Sequence, residues 1–481
     1  MQHAPHLRRR LGLALAMSLL AGCVTVGPDY VEPELDVPAR WNRTVPRAPA
    51  TDDAALARWW TLFDDPVLSD LVARAAAGST TVREAAARVR EARARRAIAG
   101  ADRFPTLSAG ASAVQIRSGD RPGGAGDLYS LDFDASWELD VFGGRRRALE
   151  AAEASLEAAE EDLRDVLVTL VSEVALNYTE VRAFQTRLAI AEANLAAQTE
   201  TYEIVRWRLE AGLTTELDLE QARFSLEQTR AQIPQLRSAL EQAKNRLAVL
   251  IGENPGALAS LLAEPRPVPL APLEVSLGVP ADTLRRRPDV RRAERLLAAQ
   301  TARVGVAEAA RYPSFSLLGS IGLEALALSN FFGNAARTTQ LAASGRWTLF
   351  DFGRLRQNVE IENALQEQAL IRYEAAVRTA LNDVENALIA YAEEQERLAA
   401  LQAAADAAQR AFDLASQQYA AGLIDFQALL ESQRALLSLQ DQQAVSRAEA
   451  TSNLIRLYKA LGGGWTPELP AAAPAAVESA S

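Results

Sequence analysis

The chain has 481 residues, a formal net charge of −11, 49% hydrophobic residues, one cysteine and two histidines. The acidic balance argues against nucleic acid as a partner, and a lone cysteine excludes an internal disulfide. The positions of the three rare residues, His3, His6 and Cys23, decide much of what else is excluded.

Arg8, Arg9 and Arg10 precede an apolar run from Leu11 to Ala21, the layout of a secretory signal and too short to span a bilayer. Leu20-Ala21-Gly22-Cys23 then resembles a bacterial lipobox, in which small residues admit a peptidase to the bond before the cysteine and the thiol becomes a lipid anchor. Residues 1–22 are therefore expected to be a signal peptide and Cys23 the lipidation site; a buried, inert thiol beside an ordinary signal is the competing reading. Val24 follows, so the aspartate that favours inner-membrane retention of such lipoproteins is absent. Cleavage removes both histidines and three arginines, taking the formal charge to −14. The mature chain then lacks Ser-His and Cys-His pairs and imidazole or thiolate metal ligands. No glycine-rich phosphate loop is evident, and neither catalytic residues, metal nor cofactor is expected. With a single short apolar segment, the chain does not read as a helical membrane protein.

Residues 23–66 form the N-terminal lipidated segment. A helical pattern runs from about 67 to 103, and strands follow at about 106–117 and 127–139. In the second strand Tyr129, Leu131, Phe133, Ala135, Trp137 and Leu139 alternate with Ser130, Asp132, Asp134, Ser136 and Glu138, which makes it two-faced. Residues 143–209 read as one helix, with Leu167, Val174, Val181, Leu188, Leu195, Tyr202 and Leu209 repeating by seven and arguing for left-handed coiled-coil packing. At 1.5 Å per residue it would run roughly 100 Å, too long for a compact bundle. After a tip at "AGL", Leu219, Leu226, Ile233, Leu240 and Leu247 mark a return helix over about 216–251, which Pro234 should kink or underwind. The return helix and the helix at 67–103 are each about 55 Å long, so each half reads as a long helix paired with two shorter ones stacked along it. A Pro-rich linker at 253–280 leads into residues 281–462, with strands at about 314–324 and 338–350. There Val377, Val384, Tyr391, Leu398, Ala405, Phe412 and Tyr419 keep the heptad, and 463–481 form a C-terminal tail.

The span 67–252 and the span 281–462 are one unit twice. "WELDVFG" at 137–143 falls on "WTLFDFG" at 347–353, and "AGL" at 211–213 on "AGL" at 421–423, at an offset of 210. Upstream, "FPTLS" at 104–108 falls on "YPSFS" at 312–316 at an offset of 208. The two-residue change lies in the loops between the strands of each pair, where length is cheap.

Acids on one strand face and aromatics on the other are expected of a barrel wall with lipid outside and water inside; a sheet capping a soluble domain is the competing reading. Four strands cannot close such a barrel, and open edges in lipid would leave unpaired amides at several kcal/mol each. Two copies would supply eight strands and a side-chain-filled interior, three would supply twelve and a pore, so a trimer is preferred.

These pieces resemble the TolC-like outer membrane factors, specifically the lipoprotein branch of multidrug efflux channels similar to OprM and NodT. The carrying motifs are the lipobox followed by "VGPDYVEPELDVPARW", then "RWWTLFDDPVLSDLVARA", "VREAAARVREARA", "FPTLSAG", "WELDVFGG" with its repeat "WTLFDFG", and the two "AGL" tips. The resemblance implies a mainly α fold with a small β-barrel part: a trimeric 12-stranded outer-membrane β-barrel continuing into a 12-column periplasmic α-helical barrel, with two structural repeats per chain. It places an equatorial collar at the N-terminal segment, residues 253–280 and the tail. It implies an exit duct without catalytic activity, lipid-anchored in the outer membrane and joined through a periplasmic membrane-fusion adaptor to an inner-membrane resistance-nodulation-division type pump.

Within that resemblance, Gly212 and Gly422 supply the tip turns, and Leu213 and Leu423 are apolar residues offered to an adaptor or packed within the turn. The acidic and apolar ring that closes the tunnel in relatives maps onto Glu431, one carbon longer than the usual aspartate, and Gln427. The basic residue that in some relatives follows the tip tyrosine corresponds to Ala420, after Tyr419, which leaves the gate's ion pair open. A non-conducting periplasmic coiled-coil scaffold lipoprotein is the alternative function; the two-faced strands tell against it. An adaptor would carry a β-rich module on each side of one hairpin instead of two complete helix-strand repeats. The cargo, whether drug, metal, siderophore or peptide, is not encoded in these motifs.

Overall fold

The computed structural model describes residues 25–34, 37–43, 53–117, 125–270 and 280–465. The signal peptide, Cys23, residues 271–279 of the Pro-rich linker and residues 466–481 of the tail lie outside them. The chain divides into two compact units: Met1–Leu35, Arg88–Glu160 and Arg291–Ala375 form a strand unit, and Asp36–Ala87, Glu161–Val290 and Ala376–Ser481 form a hairpin unit. The elements in chain order are α1 (Asp53–Ala57), a 3-10 turn at Trp59–Phe63, α2 (Pro66–Gly78), α3 (Thr80–Ala101), β1 (Thr106–Arg117), β2 (Ala125–Leu139), α4 (Gly144–Glu210) and α5 (Glu216–Leu250). Then come α6 (Pro280–Arg286), α7 (Pro288–Ala309), β3 (Ser314–Ala325), β4 (Arg337–Arg346), α8 (Arg354–Ala420) and α9 (Phe426–Ala460). Among the described residues no helix is long and apolar enough to cross a membrane.

In the strand unit the four strands form one antiparallel sheet in the order β1-β2-β3-β4. The register pairs odd residues with odd and even with even, for example Ala109↔Phe133, Phe133↔Ile321 and Ile321↔Thr339. Facing residues share a side of the sheet. One face therefore gathers Leu107, Leu131, Phe133, Trp137, Leu317, Ile321 and Leu341, and the other gathers Ser112, Ser130, Asp132, Asp134, Ser316 and Ser344. β4 ends at Arg346 and not at 350 as the alternation suggested, because its last partner, Ser314, follows Pro313, which has no N–H to donate. The two repeats make matching local bonds here: the Trp137 indole donates to the Arg103 carbonyl at 3.0 Å and the Trp347 indole to that of Arg311 at 3.1 Å. Asp140 accepts from the N–H groups of Arg145 and Arg146 at the start of α4, as Asp351 does from Leu355 at the start of α8. The Phe142 ring stacks on Tyr312 with centroids 4.7 Å apart. The segment from Thr25 is strapped across this point: Val26 N–H donates to Phe142 O, and the buried Arg147 guanidinium binds Asp29 at 2.7 Å and the carbonyls of Val26 and Gly27. A Cβ on Gly27 would stand 2.4 Å from the Gly305 backbone, so only glycine permits this seat.

In the hairpin unit the heptad residues Leu167, Val174 and Val181 of α4 and Val377, Val384 and Tyr391 of α8 are buried. Trp59 is fully buried and stacks on Tyr458 at 5.5 Å. One expectation fails: the pattern from 67 to 103 is not one helix but α2 and α3, broken at Ser79, whose ψ is 134°. The break brings Gly78 against the end of α5, where a Cβ on Gly252 (φ +82°) would lie 2.3 Å from the Gly78 carbonyl oxygen. The second repeat breaks at the equivalent Arg287, between α6 and α7, because a residue before proline is pushed out of the α region and Pro288 follows it. Arg287, nearly buried, binds Asp289 at 2.7 Å, Asp383 at 3.0 Å and the Ala460 carbonyl at 3.0 Å. α5 runs through Pro234 without interruption. The linker packs through Leu258, Leu262 and Val268, and Arg182 and Gln185 of α4 donate to its Glu264 and Leu262 carbonyls. Arg182 also donates to the Tyr178 hydroxyl, which donates in turn to Asp65; burial and the Asp65 acceptor push that phenol up to about 12.

Candidate functional site: the hairpin tips

Each long helix ends in the same turn. Gly212 (φ +71°) and Gly422 (φ +73°) adopt the left-handed conformation that costs glycine least. Leu213 N–H reaches back to Arg208 O at 2.8 Å and Leu423 N–H to Gln418 O at 2.9 Å, satisfying the last carbonyls of each helix. The return helices are capped at once. Thr215 and Asp218 form a reciprocal capping box on α5, and Asp425 accepts from Ala428 N–H on α9. Burial raises the Asp218 carboxyl, but the hydroxyls of Thr214 and Thr215 and the Thr215 N–H outweigh it, holding it below the usual carboxylate range. Between turn and cap, Leu213 and Leu423 stand 68% and 74% exposed. Two rigid turns thus present an isolated apolar side chain each.

The two hairpins are joined behind these turns. Val205, Ala222, Tyr419, Phe426, Leu429 and Leu430 form one apolar cluster, with Tyr202, Leu219 and Phe412 against it. Arg208 of the first hairpin donates to the Tyr419 carbonyl of the second at 2.8 Å, with its guanidinium 4.5 Å from the centre of the Tyr419 ring. Further up, Arg187 grips Asp441 through two nitrogens at 2.7 and 3.1 Å. A basic residue therefore lies against Tyr419, but it comes from the other hairpin and not from Ala420. Its signal in the sequence was weak: an arginine three residues before the first "AGL", at the position where the second repeat has Gln418. The 210-residue shift likewise carries Tyr419 to Leu209, Arg187 to Arg397 and Asp441 to Ala231, so neither tie exists in shifted form.

Gln427 and Glu431 lie one turn apart on α9, both exposed, and the Gln427 amide donates to the Glu431 carboxylate at 2.9 Å. The pair contributes nothing to the apolar cluster, which draws on Phe426, Leu429 and Leu430 of the same helix. A cavity of 750 Å³ above the tips is lined by Asn194, Gln198, Gln228, Gln232, Ser438 and Gln442 among others, amides and a hydroxyl suited to water. Among the described residues no group of three or more His, Cys, Asp or Glu side chains could hold a metal ion. Such an arrangement presents two exposed leucines on glycine turns, with the Gln427–Glu431 pair on the helix that follows the second.

Comparison with known proteins agrees with this geometry. The profile of the family described as outer membrane efflux protein matches residues 71–253 and 279–463, the two repeats in turn. The chain is 35% identical to the pyoverdine export outer membrane protein OpmQ of Pseudomonas aeruginosa, over 93% of this chain and 97% of that one. It is 32% identical to nodulation protein T of Rhizobium leguminosarum bv. trifolii, over 93% and 96%. Among solved structures it is similar to the outer-membrane channel OprN, with a TM-score of 0.86 and 38% identity over 92% of this chain and 99% of that one. It is also similar to the open state of the MtrE channel of Neisseria gonorrhoeae, with a TM-score of 0.83 and 27% identity over 93% and 100%. The chain belongs to the outer membrane efflux protein family, and is an outer-membrane channel that serves as an exit duct for export.

Proposed function

We propose that three copies of this chain close a 12-stranded barrel and form the outer-membrane duct of a tripartite efflux system. Its hairpin tips would meet a periplasmic membrane-fusion adaptor coupled to an inner-membrane resistance-nodulation-division type pump. The observation that carries the reading is the four-stranded sheet, apolar on one face and polar on the other, with both outer edges unpaired among the described residues. A sheet of this kind is viable in lipid only when copies pool their strands. Leu213 and Leu423 are the adaptor-facing residues, set by Gly212 and Gly422, and Gln427 and Glu431 line the periplasmic gate. Cys23 carries the lipid that holds the mature N-terminus at the outer membrane. OpmQ is a pyoverdine export protein, and the similar TtgF of Pseudomonas putida is the outer membrane protein of a toluene efflux pump, so we assign small molecules as cargo and place the choice among them in the pump.

The test is single-channel recording of the purified trimer in planar bilayers. Replacing both Gln427 and Glu431 with Ala should raise the closed-state conductance, whereas the same change at Glu227 and Gln228 should leave it unchanged. Divalent cations should block the unmodified channel more than Glu431→Ala. Absence of conductance in every variant, with the trimer inserted, would favour a scaffold.

A further inference from the structure

The cavity above the tips is walled by polar residues that the fold does not require. Gln198 of α4 and Ser225 and Thr229 of α5 are 2%, 4% and 7% exposed, and they line it together with Asn194. Gln198 Nε2 donates to Ser225 Oγ at 3.3 Å, whereas the buried Gln198 Oε1 has no hydrogen-bond partner. A buried carbonyl left unpaired costs free energy that packing alone does not return. The duplication supplies the control. A shift of 210 carries Asn194, Gln198, Ser225 and Thr229 to Ala404, Ala408, Ala435 and Leu439. The corresponding helices α8 and α9 thus pack with alanine and leucine at all four places. The polar set belongs to the first repeat alone, and it faces a space.

That space opens on the side of the gate pair. Along α9, Gln427, Glu431, Arg434, Ser438 and Asp441 follow at steps of four, three, four and three residues, one stripe of the helix. The first two are the proposed gate, and the last three line the cavity. The charges around it are unequally matched. Arg187 and Asp441 occupy each other, and Glu431 takes the Gln427 amide. The Arg434 guanidinium lies 5.9 Å from the centre of the Phe224 ring and has no ion pair among the described residues. An unpaired cation, an unpaired buried acceptor and amides that both donate and accept fit a ligand with N–H groups, carbonyls and a carboxylate. At 750 Å³ the cavity has the size of a small-molecule site. We infer that it binds a short peptide or acyl-amino acid with a free carboxylate, held just above the gate with the carboxylate on Arg434 and an N–H on Gln198. This rests on the duct reading and names a class of cargo that halts there before leaving.

The probe is N-trifluoroacetyl-alanyl-alanine, compared with its methyl ester, and the readout is broadening of its fluorine resonance by the full-length acylated protein in detergent. The acid should bind saturably and the ester about tenfold more weakly, the loss expected of one charge-assisted hydrogen bond. Arg434→Gln should abolish the difference between acid and ester. Giving Asn194, Gln198, Ser225 and Thr229 the second repeat's Ala, Ala, Ala and Leu should leave native mass and helical circular dichroism unchanged and weaken the acid by about tenfold or more. Replacing both Gln427 and Glu431 with Ala, which alters the gate and leaves the slot, should keep the binding. Acid and ester alike in the parent, a difference that persists in Arg434→Gln, or undiminished acid binding by the four-residue variant each overturns the site. In the last case a lowered melting temperature assigns the amides to helix packing. Channels that conduct in planar bilayers but never bind the acid reject the slot and keep the duct; protein that binds the acid but never conducts keeps the slot and rejects the duct.

Discussion

Replacing Arg208 with Gln tests whether the two tips of one chain are held together. The substitution removes one charge-assisted hydrogen bond to the Tyr419 carbonyl and a guanidinium 4.5 Å from the Tyr419 ring. A hydrogen bond to a charged group contributes about 1.5–3 kcal/mol, and a cation over an aromatic face about 0.5–1 kcal/mol at an exposed site. Two facts move the sum downward: Arg208 is only half-buried, and the carbonyl keeps its bond from Gly422 N–H at 3.0 Å. The net effect should be about 1.5 kcal/mol, roughly a tenfold rise in the population with the hairpins apart. In single-channel recordings at fixed voltage this appears as a tenfold rise in open probability. Arg187→Gln, which breaks a partly exposed ion pair higher up, should give a smaller rise, since ion pairs open to solvent contribute about 0.2–1 kcal/mol. An open probability for Arg208→Gln within twofold of the parent, with the trimer intact, would refute the assignment of this tie to closure.

Cys23→Ser should abolish incorporation of labelled palmitate and slow assembly while leaving the helical circular dichroism unchanged, because the anchor adds membrane affinity and not core packing. Gly252→Ala should destabilise by more than the roughly 1–2 kcal/mol expected of Gly212→Ala, since both force alanine into a left-handed conformation but only Gly252 would drive a Cβ against the Gly78 backbone; equal losses in thermal unfolding would dismiss the clash. Burial raises the Asp289 carboxyl, but Arg287 and the helix N–H groups more than compensate, holding it below the usual range. Its contribution to stability is therefore complete above about pH 4 and is lost as the pH falls through its depressed value. Asp289→Asn should flatten the decline in melting temperature below pH 4, and an unchanged acid limb would assign that decline elsewhere.

The long helices were legible because a heptad kept from Leu167 to Leu209 and from Val377 to Tyr419, inside helices of 67 residues each, leaves no competing period, and the duplication was legible because loop length alone separates the two copies. The sheet's two faces were visible in β2, whose acids and aromatics alternate without exception from Tyr129 to Leu139. The break at Ser79 was not, since no proline marks it; its cause is the close approach of Gly252 from a helix end 173 residues away. Its counterpart at Arg287 carried a readable sign in Pro288. The i, i+4 spacing of Gln427 and Glu431 announces that they can meet, whereas Arg208 finds Tyr419 across 211 residues. Local pattern lists which cations are available and is silent on which hairpin lends them.

The ties between hairpins occur once per chain and have no shifted counterpart, and this has a mechanical consequence. In a ring of three copies six hairpins meet at six joints of two alternating kinds. Three joints contain the Arg208 and Arg187 ties and an apolar seal with Phe426 and Ala222 in it. At the other three the shifted positions bring Gln418, Glu216, Ser432 and Ala231 instead. A radial load shared equally around such a ring is not borne equally: the weaker joints part first and give a narrow three-cornered aperture, even though the sequence that builds it is nearly sixfold, and the mouth widens further only when the Arg208 and Arg187 ties within each chain give way.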